Sequence, residues 1–202
     1  MNDTHDRVLV AYDSRLGSTA EVAAFIGDVF AERGASVDVL QIDQVGDVAR
    51  YDSVVIGSAI RYDRWLPEAT AFVAANRATL SQMPVAMFFT CLTLASGSEK
   101  GDRKAAGYAS KLRELLPETS NVEIRGFAGV LDPSRGPLWV RMLLRVLSRV
   151  TGIAPGDYRD WEAIRAWAQT SAGAVSVAKA TPGSPGSFAP ASPPGSSVRN
   201  PD

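Results

Sequence analysis

Two residue types on which much enzyme chemistry depends are almost missing. The 202-residue chain has one cysteine, Cys91, and one histidine, His5. A single cysteine excludes an internal disulfide framework and a cysteine-rich zinc module. A single histidine near the N-terminus removes His-based triads and His-ligated metal clusters, so no metal is expected. An excess of charge is missing too, because 21 Lys+Arg stand against 22 Asp+Glu, a net charge of −1. That argues against a globally basic chain that coats nucleic acid, and no nucleic-acid partner is expected. No run approaches the ~18 uncharged apolar residues needed to span a bilayer. The first apolar run, Val8-Leu-Val-Ala-Tyr12, is too short for the core of a secretory signal. A cytoplasmic address is the expectation.

What is present is ordinary for a globular protein with a sizeable core: 46% apolar and 21% charged residues. The last 22 residues, Thr181 to Asp202, differ, with six Pro, three Gly and five Ser. Such a segment buries too little surface to offset its ordering entropy, and a disordered tail over 173–202 is expected. A short helix is expected to run into it from the Ala-rich stretch before. The folded domain is then 6–172.

Inside that domain strands and helices alternate. Val8–Tyr12 has the continuous apolar character of a strand buried on both faces. Val22, Ile26, Val29 and Phe30 recur at helical spacing, and Arg33-Gly34 marks a helix stop. Ser36 to Gln41 reads as a second strand and Ser53 to Gly57 as a third. Pro67 is suited to the first position of a helix running to Leu80. Val85 to Thr90 reads as strand, Asp102 to Leu116 as helix with Tyr108, Leu112 and Leu115 on one face, and Val122 to Gly129 as a fifth strand. A last helix carries Trp161, Ile164 and Ala168. An insertion, about 130–158, separates strand five from that helix. Five strands alternating with helices predict an α/β fold, a parallel sheet covered on both faces.

In an open α/β sheet, ligands sit beyond the carboxyl ends of the strands. Three loops therefore matter. After strand one comes Ser14-Arg15-Leu16-Gly17-Ser18-Thr19, whose small residues leave backbone N–H groups free beside a helix N-terminus. That is a phosphate cradle in physical terms, with Arg15 adding a full charge. It is neither a Walker loop nor a GxGxxG motif. A well-capped first helix would use the same Ser and Thr residues. After strand three comes Gly57-Ser58-Ala59-Ile60-Arg61-Tyr62, with Trp65 behind. Small residues there admit a flat ligand, and the aromatics offer stacking faces or a cover for the next helix. After strand four comes Thr90-Cys91-Leu92-Thr93, an apolar wall with hydroxyls. Cys91 has no histidine to activate it and reads as a buried structural residue. Together the loops fit a flat ring carrying one phosphate. The nearby carboxylates, Asp13 and Asp63, show no tuning in the sequence.

The order of elements and the Ser14-x-x-Gly17-x-Thr19 cradle resemble the flavodoxin-like superfamily. Tyr51-Asp-x-Val-Val-Ile-Gly-Ser-Ala-Ile-Arg-Tyr62 resembles, more closely, the flavodoxin-type menaquinone-dependent protoporphyrinogen IX dehydrogenases. Met83-Pro84, Gly126-Phe-Ala-Gly129 and Asp160-Trp161-Glu162 do so as well, and the resemblance covers about residues 7–170. It implies a doubly wound sheet of order 2-1-3-4-5 with a basic helical insertion after strand five. It also implies one non-covalent FMN. Ser14, Arg15, Leu16, Gly17, Ser18 and Thr19 would hold the phosphate. Ser58, Ala59, Ile60, Arg61 and Tyr62 would flank the ring, together with Thr90, Cys91, Leu92 and Thr93. From its charge alone, Arg61 is expected to steady the reduced, anionic ring. One residue departs from the pattern: flavodoxins usually carry a hydroxyl residue, and the dehydrogenases often an Asp, where this chain has Leu16.

The insertion holds Leu138-Trp-Val-Arg-Met-Leu-Leu-Arg-Val-Leu-Ser-Arg-Val150. Arg141, Arg145 and Arg149 fall at i, i+4, i+8 on one helical stripe, with Arg135 and Trp139 before them. This reads as a basic amphipathic helix over 138–150. It could lie on anionic lipid at the inner face of the cell membrane, bind a carboxylate-bearing porphyrin, or pack on the domain with solvated arginines. The resemblance implies an FMN-dependent oxidation of a porphyrinogen-type substrate in heme biosynthesis, with electrons passing to a membrane quinone. No side chain is identified as a catalytic base. The alternative is a flavodoxin-type electron carrier or partner-binding module that turns over no small molecule. Flavodoxins in that role are strongly acidic, which this chain is not. Oligomeric state is not encoded in any pattern found.

Overall fold

A computed structural model of the chain describes residues 6–119, 122–132, 142, 146 and 154–179. The chain runs β1 (Arg7–Asp13), α1 (Ser18–Glu32), β2 (Ser36–Gln41), β3 (Ser53–Arg61), β4 (Arg64–Trp65), α2 (Pro67–Ala75) and α3 (Arg77–Leu80). It continues with β5 (Val85–Cys91), α4 (Glu99–Arg113), β6 (Glu123–Ala128), β7 (Val130–Leu131), β8 (Gly156–Asp157) and α5 (Trp161–Lys179). Five long strands pair in the order β2-β1-β3-β5-β6, all parallel, and β4 folds back antiparallel on β3. Counted by long strands, this is the expected order 2-1-3-4-5.

Strand periodicity splits the apolar residues between two cores. Leu9, Val54, Ile56, Met87 and Phe89 face α2, α3 and α4, packing with Ala69, Phe72, Leu80, Tyr108 and Leu112. Val8, Val10, Val55 and Phe88 face the opposite way, towards Val22, Ile26 and Phe30 of α1 and Ile164, Trp167 and Ala168 of α5. Each fully buried Leu, Ile or Phe contributes about 1.5–3 kcal/mol of transfer free energy. The central strands are covered on both faces, which is why they read as unbroken apolar runs.

Element boundaries differ from the sequence expectation at three places. β3 does not stop at Gly57 but continues to Arg61. The glycine is there because a Cβ would stand 2.0 Å from Cζ of Phe88. α4 starts at Glu99, not Asp102, capped by Ser98 Oγ, which accepts from the Gly101 N–H at 3.2 Å. The helix predicted over 67–80 breaks at Asn76, whose N–H and Nδ2 both donate to the Phe72 carbonyl.

The insertion is closed at its base. β7 pairs antiparallel with β8, Val130 opposite Asp157 and Leu131 opposite Gly156, at the ends of the expected 130–158 segment. Within it Met142 and Val146 are helical and exposed, at one face four residues apart. Arg135, Trp139, Arg141, Arg145 and Arg149 lie outside the described residues. α5 continues past 172 to Lys179, into the Ala-rich stretch, and residues 180–202 lie outside the described residues. Among the described residues, no helix is long and apolar enough to cross a membrane.

Candidate functional site

Parallel register brings the three loops to one edge of the sheet. Asp13 at the end of β1 is level with Ser58 in β3, and Ala59 in β3 is level with Thr90 in β5. The order β1-β3-β5 therefore sets the loop after β1, the β3–β4 turn and the loop after β5 side by side.

The loop after β1 is built around Gly17. Its φ of 87° is left-handed, a conformation that L side chains adopt at a cost of about 1–2 kcal/mol. Ser14 Oγ accepts from the Gly17 N–H at 3.1 Å and holds the turn. Gly17 is also the N-cap of α1, and no side chain caps that helix. The expected alternative, a first helix capped by Ser or Thr, does not hold. The N–H groups of the first turn face the loop with the positive end of a 15-residue helix behind them. Leu16 is exposed, 43% of its surface open.

Thr19 is buried and does not point its hydroxyl at open solvent. Its Oγ1 lies 2.8 Å from Oγ1 of Thr90, one of the two donating. This bond joins the first loop to the end of β5 and fixes the spacing between them. Cys91 beside it is buried, and desolvation pushes its thiol pKa up, away from reactivity. Leu92 and Thr93 follow in a short 3-10 turn, partly buried.

Arg15 is not a free charge. Its Nη2 donates to Oε1 of Glu68 in the first turn of α2. Asp13 is buried, and its Oδ2 has no hydrogen-bond partner. Burial, then the negative Glu68, hold its pKa above the usual carboxylate value, and Arg15 opposes them. Asp63 is shifted the other way, lowered first by its bond from Lys104 and then by that from Tyr108. Both carboxylates are tuned, contrary to the sequence expectation, because their partners lie far along the chain.

The β3–β4 turn is strained. Tyr62 and Asp63 both have positive φ, 51° and 62°, the requirement of a two-residue type I′ hairpin between the paired Arg61 and Arg64. Asp63 Oδ1 anchors this turn to α4, accepting from Tyr108 Oη at 2.6 Å and from Lys104 Nζ at 2.7 Å. The anchor leaves Tyr62 85% exposed at the sheet edge, with the Arg61 guanidinium 5.3 Å from its ring centroid. Ala59 and Ile60 are half-buried behind it. Ser58 is buried, and its Oγ accepts from the Leu66 N–H at 3.4 Å, a structural bond at the start of α2. Trp65 is buried in the core and offers no stacking face, so the reading of Trp65 as a cover is the one that holds.

Sequence reasoning missed Arg159. Only 5% of its side chain is exposed, and it bridges Asp157 of β8, Glu21 of α1 and, at 3.5 Å, the Ser18 carbonyl. The returning limb of the insertion is thereby tied to the first turn of α1. A run of sequence around Arg159 carries no sign of partners 138 residues away.

Comparisons with known proteins agree with this arrangement. The family model described as "Flavodoxin domain" matches residues 9–155. A protoporphyrinogen IX dehydrogenase (quinone) of Escherichia coli strain K12 is 26% identical over 173 residues, 81% of this chain and 93% of that protein. A protein of the same name from Leishmania major is 28% identical over 172 residues, covering 80% and 73%. Among solved structures, the rubredoxin oxygen:oxidoreductase of Desulfovibrio gigas superposes with a TM-score of 0.53 at 15% identity, over 87% of this chain and 37% of that one. That likeness shows the fold.

Proposed function

The chain belongs to the flavodoxin domain family and is an FMN-binding domain, and from that premise we propose that it is a protoporphyrinogen IX dehydrogenase with a quinone acceptor. The observation that carries the proposal is similarity over four-fifths of the chain to two proteins that bear that name. The residues present fit the cofactor. An uncapped helix N-terminus behind a left-handed glycine suits a phosphate. An exposed tyrosine held by a strained, anchored turn suits one face of a flat ring. When bound, FMN supplies the redox chemistry, accepting electrons from the porphyrinogen and delivering them to the quinone.

The chain's own residues bind, orient and shield. The backbone of Ser14 to Thr19 receives the phosphate. Ser58 to Tyr62 and Thr90 to Thr93 would line the ring, their separation set by the β3–β5 pairing, while the Thr19–Thr90 bond sets the spacing of the phosphate loop from β5. Arg61 lies beside Tyr62 and would offset negative charge on the ring. The insertion, with Arg135, Trp139, Arg141, Arg145 and Arg149, would bring porphyrin carboxylates or the anionic membrane surface that contains the quinone to this edge. On this reading the protein is cytoplasmic, in peripheral contact with the membrane, and acts in heme biosynthesis with menaquinone as a natural acceptor.

The test begins with the visible spectrum of the purified protein after adding FMN, which should show near-stoichiometric flavin. The loaded protein should then convert protoporphyrinogen IX to fluorescent protoporphyrin under anaerobic conditions, only when a quinone is present. Flavin-loaded protein that forms no porphyrin with any quinone overturns the proposal in favour of an electron carrier or partner-binding module. A protein that takes up no flavin removes both.

A further inference from the structure

A carboxylate stands directly before the phosphate loop, where an anion is to be received. Asp13 is the last residue of β1, directly before Ser14, and only 6% of it is exposed. Its Oδ2 is buried without a hydrogen-bond partner. A buried charge in that condition is costly, and a buried carboxyl relieves the cost by holding a proton. The charged groups that face it are Glu68 from the first turn of α2 and Arg15 from the loop, already paired with each other. β3 presents the uncharged Ser58 at the paired position. With both acids ionised the three groups sum to one negative charge. With one proton they are neutral.

An incoming phosphate changes this balance in one direction. Its negative charge disfavours an ionised Asp13 beside the loop. It also competes with Glu68 for the Arg15 guanidinium, a preferred phosphate partner. If Arg15 turns to the phosphate, Asp13 and Glu68 are left as adjacent carboxyls, which cannot both ionise cheaply. Glu68 is the more exposed and is lowered by its own backbone N–H, so Asp13 is the member that takes the proton.

We propose that Asp13, with Glu68 and Arg15, forms a proton-linked gate on the phosphate loop, so that at a pH where the unliganded Asp13 is ionised, binding of a phosphate-bearing ligand takes up one proton from solvent. The inference rests on the FMN reading above. The proton goes from bulk water to the Asp13 carboxylate, giving the neutral acid, and no other bond changes. Linkage fixes the sign: binding that takes up a proton weakens as pH rises.

The experiment is a flavin titration of the full chain, wild type and Asp13→Asn, from about pH 5.5 to pH 8. FMN is compared with riboflavin, which lacks the phosphate. Both proteins should bind FMN comparably at the acid end. At the alkaline end Asp13→Asn should bind more tightly, on the order of tenfold for one linked proton per pH unit crossed. The phosphate's own titration is common to both proteins and cancels in the ratio. With riboflavin the ratio should stay flat. Glu68→Gln, at a position with half of its side chain exposed, should shrink the pH-dependent part of the difference, because the acid beside Asp13 then carries no charge. A ratio that does not change with pH for FMN overturns the gate and leaves the FMN reading intact. The same slope with riboflavin also overturns it, because the coupling would not involve the phosphate. No flavin uptake by either protein overturns the FMN reading and the gate with it.

Discussion

Replacing Thr90 by Val tests the link between the phosphate loop and β5. The change keeps the shape of the side chain and removes one hydroxyl. In the folded protein Thr90 and Thr19 are both buried, 4% and 1% exposed, and their hydroxyl oxygens are 2.8 Å apart. The lost bond itself has a net worth of about 0.5–1.5 kcal/mol. The hydroxyl left behind on Thr19 adds its desolvation cost, about 1–3 kcal/mol in all. For a domain of this size each kcal/mol moves the melting temperature by about 2–4 °C. Thr90→Val and Thr19→Val should therefore each melt several degrees lower, measured by circular dichroism on flavin-free protein. The double variant should recover most of the loss, because an apolar pair leaves no hydroxyl unpaired. FMN should separate the two single variants. On the proposed reading the phosphate of FMN would offer an acceptor to the orphaned Thr19 hydroxyl, so FMN should narrow the deficit of Thr90→Val and leave that of Thr19→Val. A double variant that loses the sum of the two single losses refutes the reasoning, since the hydroxyls would then be acting independently.

Gly57→Ala should destabilise the fold by about 1–3 kcal/mol through overpacking, because the new Cβ would meet three atoms of the Phe88 ring at 2.0–2.6 Å; chemical denaturation measures this, and Phe88→Leu in the same chain should restore part of it. Asp63→Gly should cost less than Asp63→Ala, because glycine accepts the positive φ at 63 while alanine is strained there by about 1–2 kcal/mol; equal losses in urea would show that the turn is not held in that conformation. Asp13 has a folded-state pKa above its unfolded one, so the folded state binds the extra proton and wild-type stability falls as pH rises out of the ordinary carboxylate range. Asp13→Asn should lack that fall, and parallel melting curves of the two flavin-free proteins across pH 4–8 would contradict the shift.

The fold was legible because its strongest signals are local. β1, β3 and β5 are buried on both faces, and apolar runs of that length between turn residues have few other readings. Alternation with helices predicts only that the strands run parallel; their order comes from the resemblance to the flavodoxin-like superfamily, and the pairing bears it out. The misreadings fall at glycines and at an asparagine. Gly57 and Gly101 look like punctuation in the sequence, yet both sit inside an element. Gly57 makes room for Phe88, and a Cβ on Gly101 would stand 2.6 Å from the Thr93 carbonyl. A glycine required by close packing and a glycine required by a turn are the same letter. Only the neighbour, set by tertiary structure, distinguishes them. Asn76 likewise breaks the helix through a bond to a carbonyl four residues back, with no Pro or Gly to announce it.

The candidate site divides in the same way. Which loops meet could be read from the sheet rule, and the register confirms that they are adjacent. What each side chain does there could not be read, because the deciding partners are remote: Glu68 for Arg15, Thr90 for Thr19, Tyr108 for Asp63, and Glu21 for Arg159. These bonds share a purpose visible only in their sum. Each joins a loop at the carboxyl edge to an element that did not produce it. Thr19–Thr90 joins the phosphate loop to β5, Asp63 joins the β3–β4 turn to α4, and Arg159 joins the insertion to α1. Loops alone would be free to splay, and ordering them on binding would consume affinity. Fastened to the sheet and helices, they hold their spacing before any ligand arrives. The insertion is part of that frame, since the β7–β8 ribbon closes its base and Arg159 ties its exit to the turn that ends the phosphate loop.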